Sequence, residues 1–218
     1  MRIPARALGL ALALLPALAG AGAAQSSADA FKWYFGGDAG FLVFETPTQS
    51  TGGIPAFGGH LLVMSRKVGL QVGYETGWGS DETSAYPDAT QLGGAVGVTF
   101  DRTNRIYGTM VAYPVRWNFE PYLGVGYGIS WLSGLEVDGT FASDLEAQEA
   151  LDEATDRGSQ GFGHFMAGAQ IRAGAFVVFG QWMVTTGNSG ALLTGATHSI
   201  MGGARLSLGS AREGYDIR

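Results

Sequence analysis

Three histidines, His60, His164 and His198, are the residues of this 218-residue chain best suited to acid–base chemistry. His198 also adjoins Ser199, which suggests a base beside a nucleophile. A base must lie within hydrogen-bond reach of the group it activates. Neighbours along a strand point to opposite faces, so His198 and Ser199 diverge if their segment is extended. Each histidine falls in a different segment, and no two have metal-ligand spacing. The chain has no cysteine, which excludes a disulfide framework, a thiol nucleophile and a thiolate metal site. The run "GVGYG" at 124–128 lacks the full phosphate-binding fingerprint and a following helix. No basic patch suits nucleic acid. The expectation is a protein without cofactor or metal, and not an enzyme.

The elements that carry these residues are more informative. In "EPYLGVGYGISWL", 120–132, Leu123, Val125, Tyr127, Ile129 and Trp131 alternate with Tyr122, Gly124, Gly126, Gly128 and Ser130. A strand therefore presents one large apolar face and one nearly bare face. A soluble sheet would carry Lys, Glu or Thr on its second face. With 36 glycines and only 15% charged residues, this chain puts small residues there instead.

The first segment, "MRIPARALGLALALLPALAGAGAAQ", has Arg2 and Arg6 before an apolar run and a small-residue stretch ending at Ala24. That is the layout of a secretory signal peptide over 1–24. No later segment suits a transmembrane helix, so a membrane-embedded form must cross with strands. Alternating segments fall at about 31–46, 57–65, 67–79, 105–117, 119–132, 161–172, 174–186 and 197–208. Their connections alternate between long, polar ones and short ones near 66, 118 and 173. An up-and-down antiparallel meander follows, with every long loop at one end. The expected fold is all-β, a closed eight-stranded antiparallel transmembrane β-barrel over 25–209, with a short tail at 210–218.

Closure removes both sheet edges and leaves two possibilities, a soluble barrel with apolar residues inside or a membrane barrel with them outside. The bare faces are too small and too uncharged for a water-facing surface. They suit a narrow interior, which turns Leu123, Val125 and Ile129 toward lipid. Trp33, Trp78, Trp117, Tyr122, Trp131 and Trp182 fall at or near segment ends, where amphipathic rings form interfacial belts. Strand parity turns Asp38, Gln71, Glu75, Arg116, His164, Gln170, Arg172, Gln181 and Arg205 inward as a polar network. Asp38 and Arg205 are expected to pair across the seam between the first and last strands, leaving Glu75 to another arginine.

The signal peptide, the eight alternating segments and the phrases "PYLGVGYGISW" and "HSIMGGARLSLG" resemble the bacterial outer-membrane β-barrel family that includes the OmpA-like and OmpX-like eight-stranded barrels. The resemblance implies a Gram-negative-type outer membrane, short turns in the periplasm and long loops outside. It also implies outer-membrane lipid and lipopolysaccharide as surroundings, the barrel assembly machinery as a partner, and a monomer. Such barrels usually end on an aromatic residue, whereas here Leu208 and Gly209 precede "SAREGYDIR". The acidic stretch "SDLEAQEALDEATD", 143–156, reads as a solvated helical loop capped by Ser143. The expected role is structural or interactive, exerted through the extracellular loops. The alternatives are a narrow pore or carrier for small apolar molecules and, more remotely, a lipid-modifying enzyme.

Overall fold

The computed structural model describes residues 31–49, 52–91, 93–115, 117–187 and 192–208. The signal segment at 1–24, the tail at 210–218 and Arg116 lie outside the described residues. The barrel strands are β1 (Lys32–Glu45), β2 (Gly52–Ser65), β3 (Val68–Pro87), β4 (Ala95–Ala112), β5 (Phe119–Ser133), β7 (Ser159–Ala173), β8 (Phe176–Thr185) and β9 (Thr194–Ser207). Between β5 and β7 the chain adds a short strand, β6 (Glu136–Asp138), and one helix, α1 (Asp144–Arg157). Each barrel strand pairs antiparallel with its sequence neighbour, and β1 pairs with both β2 and β9. The barrel is closed, with eight strands in meander order.

Parity decides the faces. On β5 the outward set is Leu123, Val125, Tyr127 and Ile129, all more than half exposed. On β1 the outward set includes Phe35 and Phe41, while Tyr34, Asp38, Leu42 and Phe44 are buried. The wall is apolar outside and mixed inside, the arrangement a hydrocarbon solvent demands. The inward glycines make room for neighbouring side chains. A Cβ on Gly36 would come within 2.5 Å of His60 Nε2 and 2.8 Å of Arg205 Cγ.

Three strands differ from their sequence expectation by more than three residues, and the first is β2, which starts at Gly52 rather than 57. β3 and β4 run on past the barrel rim, pairing Glu82–Pro87 with 95–100, and β6 adds itself to β4 through Val98 and Val137. At the rim, residues 79–81 of β3 oppose only Asp101 of β4, and Asp81 takes a φ of 55°. This bulge shifts the inward parity from odd positions such as Gln71 and Glu75 to even ones, Ser84 and Tyr86. One unbroken alternation is therefore absent from the sequence, and 80–100 reads as loop. β4 also stops at Ala112 rather than 117, two residues before Pro114, which has no N–H to continue the ladder.

The long-loop end is folded into a dome. Tyr86, Val96, Val98, Phe100, Leu132, Ala154, Leu192 and Leu193 form a hydrophobic cluster with Leu42, Phe44 and Ile54 of the barrel mouth, and Leu135, Val137 and Phe141 pack against it. Tyr86 donates to the Ala150 carbonyl at 3.0 Å, and Ser84 to the Leu192 carbonyl at 2.8 Å, tying three connections together. α1 starts where Ser143 accepts the Glu146 N–H at 3.3 Å. At the other end, the turn at Arg66–Lys67 places Arg66 at φ 51°, and the turn after β7 places Gly174 at φ 65°.

Gly36→Ala should lower unfolding stability in lipid vesicles by about 1–3 kcal/mol, because the added methyl overpacks the interior. Gly180→Ala, where a Cβ meets nothing within 4 Å on the outer wall, should be nearly silent. Urea unfolding of both variants measures the difference.

Candidate functional site

The inward face concentrates charge that lipid cannot solvate. Asp38, Gln71, Glu75, His164, Gln170, Gln181 and Arg205 all lie buried inside, and Arg172 is half-buried at the short-turn end. Most of them fall into three groups, with His164 apart on Thr109. Toward the long loops, Glu75 of β3 accepts from Arg105 Nε of β4 at 2.8 Å and from Tyr107 Oη at 2.9 Å, with Arg105 Nη2 a second donor. At the short-turn end, Glu120 accepts from Arg172 Nη2 at 3.1 Å and from Gln170 Nε2 at 2.6 Å, while Arg172 Nη1 donates to Tyr34 Oη at 2.7 Å.

Between them sits Arg205, 1% exposed. Its Nε donates to His60 Nε2 at 2.7 Å, Nη1 to Gln170 Oε1 at 2.7 Å, and Nη2 to Gln71 Oε1 at 3.2 Å. Its guanidinium lies 4.0 Å from the Phe179 ring centroid. Asp38 and Arg205 do not pair directly, contrary to the sequence expectation. His60 stands between them, its Nδ1 3.0 Å from Asp38 Oδ2. Because an arginine N–H can only donate, His60 Nε2 must accept, and the imidazole proton resides on Nδ1 facing Asp38. Register explains the substitution: Gly36 of β1, with no side chain, is the residue beside both His60 and Arg205.

The three histidines are held in different ways. A histidine base needs a free nitrogen toward its substrate, and both ring nitrogens of His60 are engaged. His164 directs Nε2 to Thr109 Oγ1 at 2.8 Å. His198 faces the outer wall, where Trp182 stacks on it at 5.9 Å and donates to its Nδ1 at 3.3 Å, while Ser199 is buried inside.

Trp33, Trp78 and Trp182 are exposed on the outer wall, and Trp131 packs there 6.3 Å from Tyr74. Trp117 stands in the β4–β5 connection, 78% exposed. Tyr122 is a correction: it is 1% exposed and points inward toward Arg205 and Tyr113. It shares parity with Gly124, Gly126 and Gly128, and that parity outranks its position near a strand end. Sequence reading missed Tyr34, His60, Arg105 and Glu120. Parity was the available signal, since Arg105 aligns with Tyr107 and Thr109, and Glu120 with Tyr122.

The fold and the inside-out wall define a closed eight-stranded membrane-type β-barrel. Among solved structures the chain resembles Neisserial surface protein A, with a TM-score of 0.51 and 10% identity over 80% of this chain and 96% of that one. It also aligns with the N-terminal β-barrel domain of Pseudomonas aeruginosa OprF (TM-score 0.41, 9% identity, 79% and 96% covered) and with the outer membrane enzyme PagL (0.34, 12%, 78% and 98%). The likeness to the Neisserial protein is one of fold. No protein-family model and no curated protein matches the chain.

Arg205→Ala should lower unfolding stability by about 3–5 kcal/mol, since it strands buried partners on β2, β3 and β7. Arg157→Ala removes an exposed i,i+4 pair with Glu153 and should cost about 1 kcal/mol or less. Leu206→Arg, on the lipid face beside Arg205, should instead impair insertion, at about 2–4 kcal/mol near the bilayer midplane. Titrating all three in identical vesicles tests the face assignment.

Proposed function

We propose that the chain is a monomeric outer-membrane barrel that works outside the cell through its folded loop dome, and neither conducts nor catalyses. The hydrophobic cluster of the dome carries this reading. Loops that only close hairpins need no core of their own, whereas a surface that must keep one shape for a partner does. The barrel serves as its anchor among outer-membrane lipid and lipopolysaccharide, inserted by the barrel assembly machinery. The β1–β9 pairing closes the barrel wall, so the wall itself offers no strand edge to a second copy.

The interior supports the non-conducting reading. A layer of Tyr34, Leu62, Met64, Val111, Tyr113 and Met166 fills the short-turn half, the Arg205 network crosses the middle and the dome core covers the mouth. Beside Arg105, a cavity lined by Thr103, Ser130 and Thr197 offers about 10 Å³. That is room for roughly one water.

Purified protein in planar bilayers should show no steady single-channel current. Sustained conduction would favour the pore. With no native cysteine, Asp152→Cys and Lys67→Cys are clean reporters. On intact cells a membrane-impermeant maleimide should label the first and reach the second only after lysis. The reverse pattern overturns the orientation.

A further inference from the structure

The outer wall changes chemistry just short of the bulge. Outward on β4, Met110 and Ile106 are exposed and apolar, and Asn104 follows at the same parity. Asn104 Oδ1 accepts from Tyr74 Oη at 2.9 Å and Thr76 Oγ1 at 3.0 Å, both on β3, and its Nδ2 donates to Ser133 Oγ of β5 at 3.0 Å. Trp131 packs beside Tyr74, and Trp78 lies 5.8 Å from Phe57 of β2 between ring centroids. An aliphatic wall that gives way to amphipathic rings and hydrogen-bonding side chains marks the passage from hydrocarbon to the headgroup layer. Arg102 stands two residues beyond Asn104, about 7 Å along the strand, and so at headgroup level.

The bulge sets a second charge beside it. Consecutive residues of a regular strand point to opposite faces. Asp101 and Arg102 are nevertheless both exposed, between Phe100 and Thr103 at 0% and 2% exposure. Residues 79–81 oppose Asp101 alone, and this irregularity turns both charges to one side. Together with Trp78, the cross-strand partner of Arg102, and Gly79, they line a cleft of about 380 Å³. Neither charge makes a hydrogen bond or ion pair among the described residues.

These groups select among headgroups. A guanidinium at a bilayer surface draws phosphate, which it binds through two parallel N–H donors. A purely anionic headgroup would meet Asp101 in the same cleft, and a simple cation would meet Arg102. A zwitterion satisfies both, with the Trp78 ring available to its cationic end. Phosphoethanolamine carries its two charges across a two-carbon linker, and its ammonium has N–H donors for a carboxylate. Phosphocholine has none.

We propose that this cleft binds the phosphoethanolamine headgroup of a membrane lipid, with the phosphate on Arg102 and the ammonium between Asp101 and Trp78. The site belongs to the rim of the wall and stands whatever the dome meets outside.

The test is native mass spectrometry of the intact protein released from nanodiscs holding equal parts of phosphatidylethanolamine, phosphatidylcholine and phosphatidylglycerol. The wild type should retain phosphatidylethanolamine about fivefold over either competitor, the size of one exposed charge pair. Arg102→Gln should lower retention of phosphatidylethanolamine and phosphatidylglycerol alike. Asp101→Asn should erase the preference for phosphatidylethanolamine over phosphatidylglycerol without lowering phosphatidylglycerol retention. Both substitutions are near-isosteric and exposed, and their opposite effects on phosphatidylglycerol separate recognition from a general loss of fold. Glu136→Gln, a charge change on the dome outside the cleft lining, should leave the pattern as it is. Equal retention of the three lipids by the wild type, a preference for phosphatidylglycerol, or unchanged selectivity in both variants overturns the site.

Discussion

An eight-stranded barrel has space inside for little more than one side chain per strand at any level, and lipid outside accepts no charge. Everything inward must therefore be neutralised within that narrow column. Arg205 is the pivot. It reaches β2 through His60, β3 through Gln71, β7 through Gln170 and the β8 ring of Phe179. The glycines that looked like an empty face are the counterpart of this crowding, as Gly36 shows where it yields to both His60 and Arg205.

The barrel itself was legible because its solvent writes a period-two pattern. β5 and β9 fall within about three residues of their expected bounds, and the eight described members of the expected inward set, from Asp38 to Arg205, do face inward, though Tyr34, His60, Arg105 and Glu120 are missing from it. Which inward groups meet was not legible. Partners are set by strand stagger, which no single strand encodes, and so His60 between Asp38 and Arg205 escaped notice. The dome was hidden for another reason. Val96, Val98 and Phe100 do alternate, but the bulge at 79–81 shifts the parity of the facing strand, and the two halves of β3 read as strand and loop. α1 was legible through its cap, since Ser143 and Glu146 interact as their spacing implies.

The dome and the barrel interior solve one problem in opposite solvents. Inside the wall, polar groups are enclosed by an apolar exterior. Above the rim, apolar groups are enclosed by an acidic exterior, with six acidic residues on α1 against Arg157. The bulge marks the change of solvent, and on the dome the Arg157 guanidinium carbon lies 5.0 Å from the Tyr86 ring centroid.

The ion pairs also differ in when they can form during assembly. Glu75 and Arg105 face each other in the β3–β4 hairpin, so that charge is cancelled as soon as two neighbouring strands zip. Glu120 and Arg172 join β5 to β7, separated by the helical excursion but adjacent in the sheet. Asp38 and His60 come together early on β1 and β2, whereas Arg205 is on the last strand to be made. Until β9 meets β1, the growing sheet carries an uncompensated anion at one open edge and an uncompensated cation at the other. The two edges attract, and the attraction is strongest where water has already been expelled. Sealing is thus a latch: an incomplete sheet is penalised in lipid, and the final zippering is drawn shut by the charges it must bury.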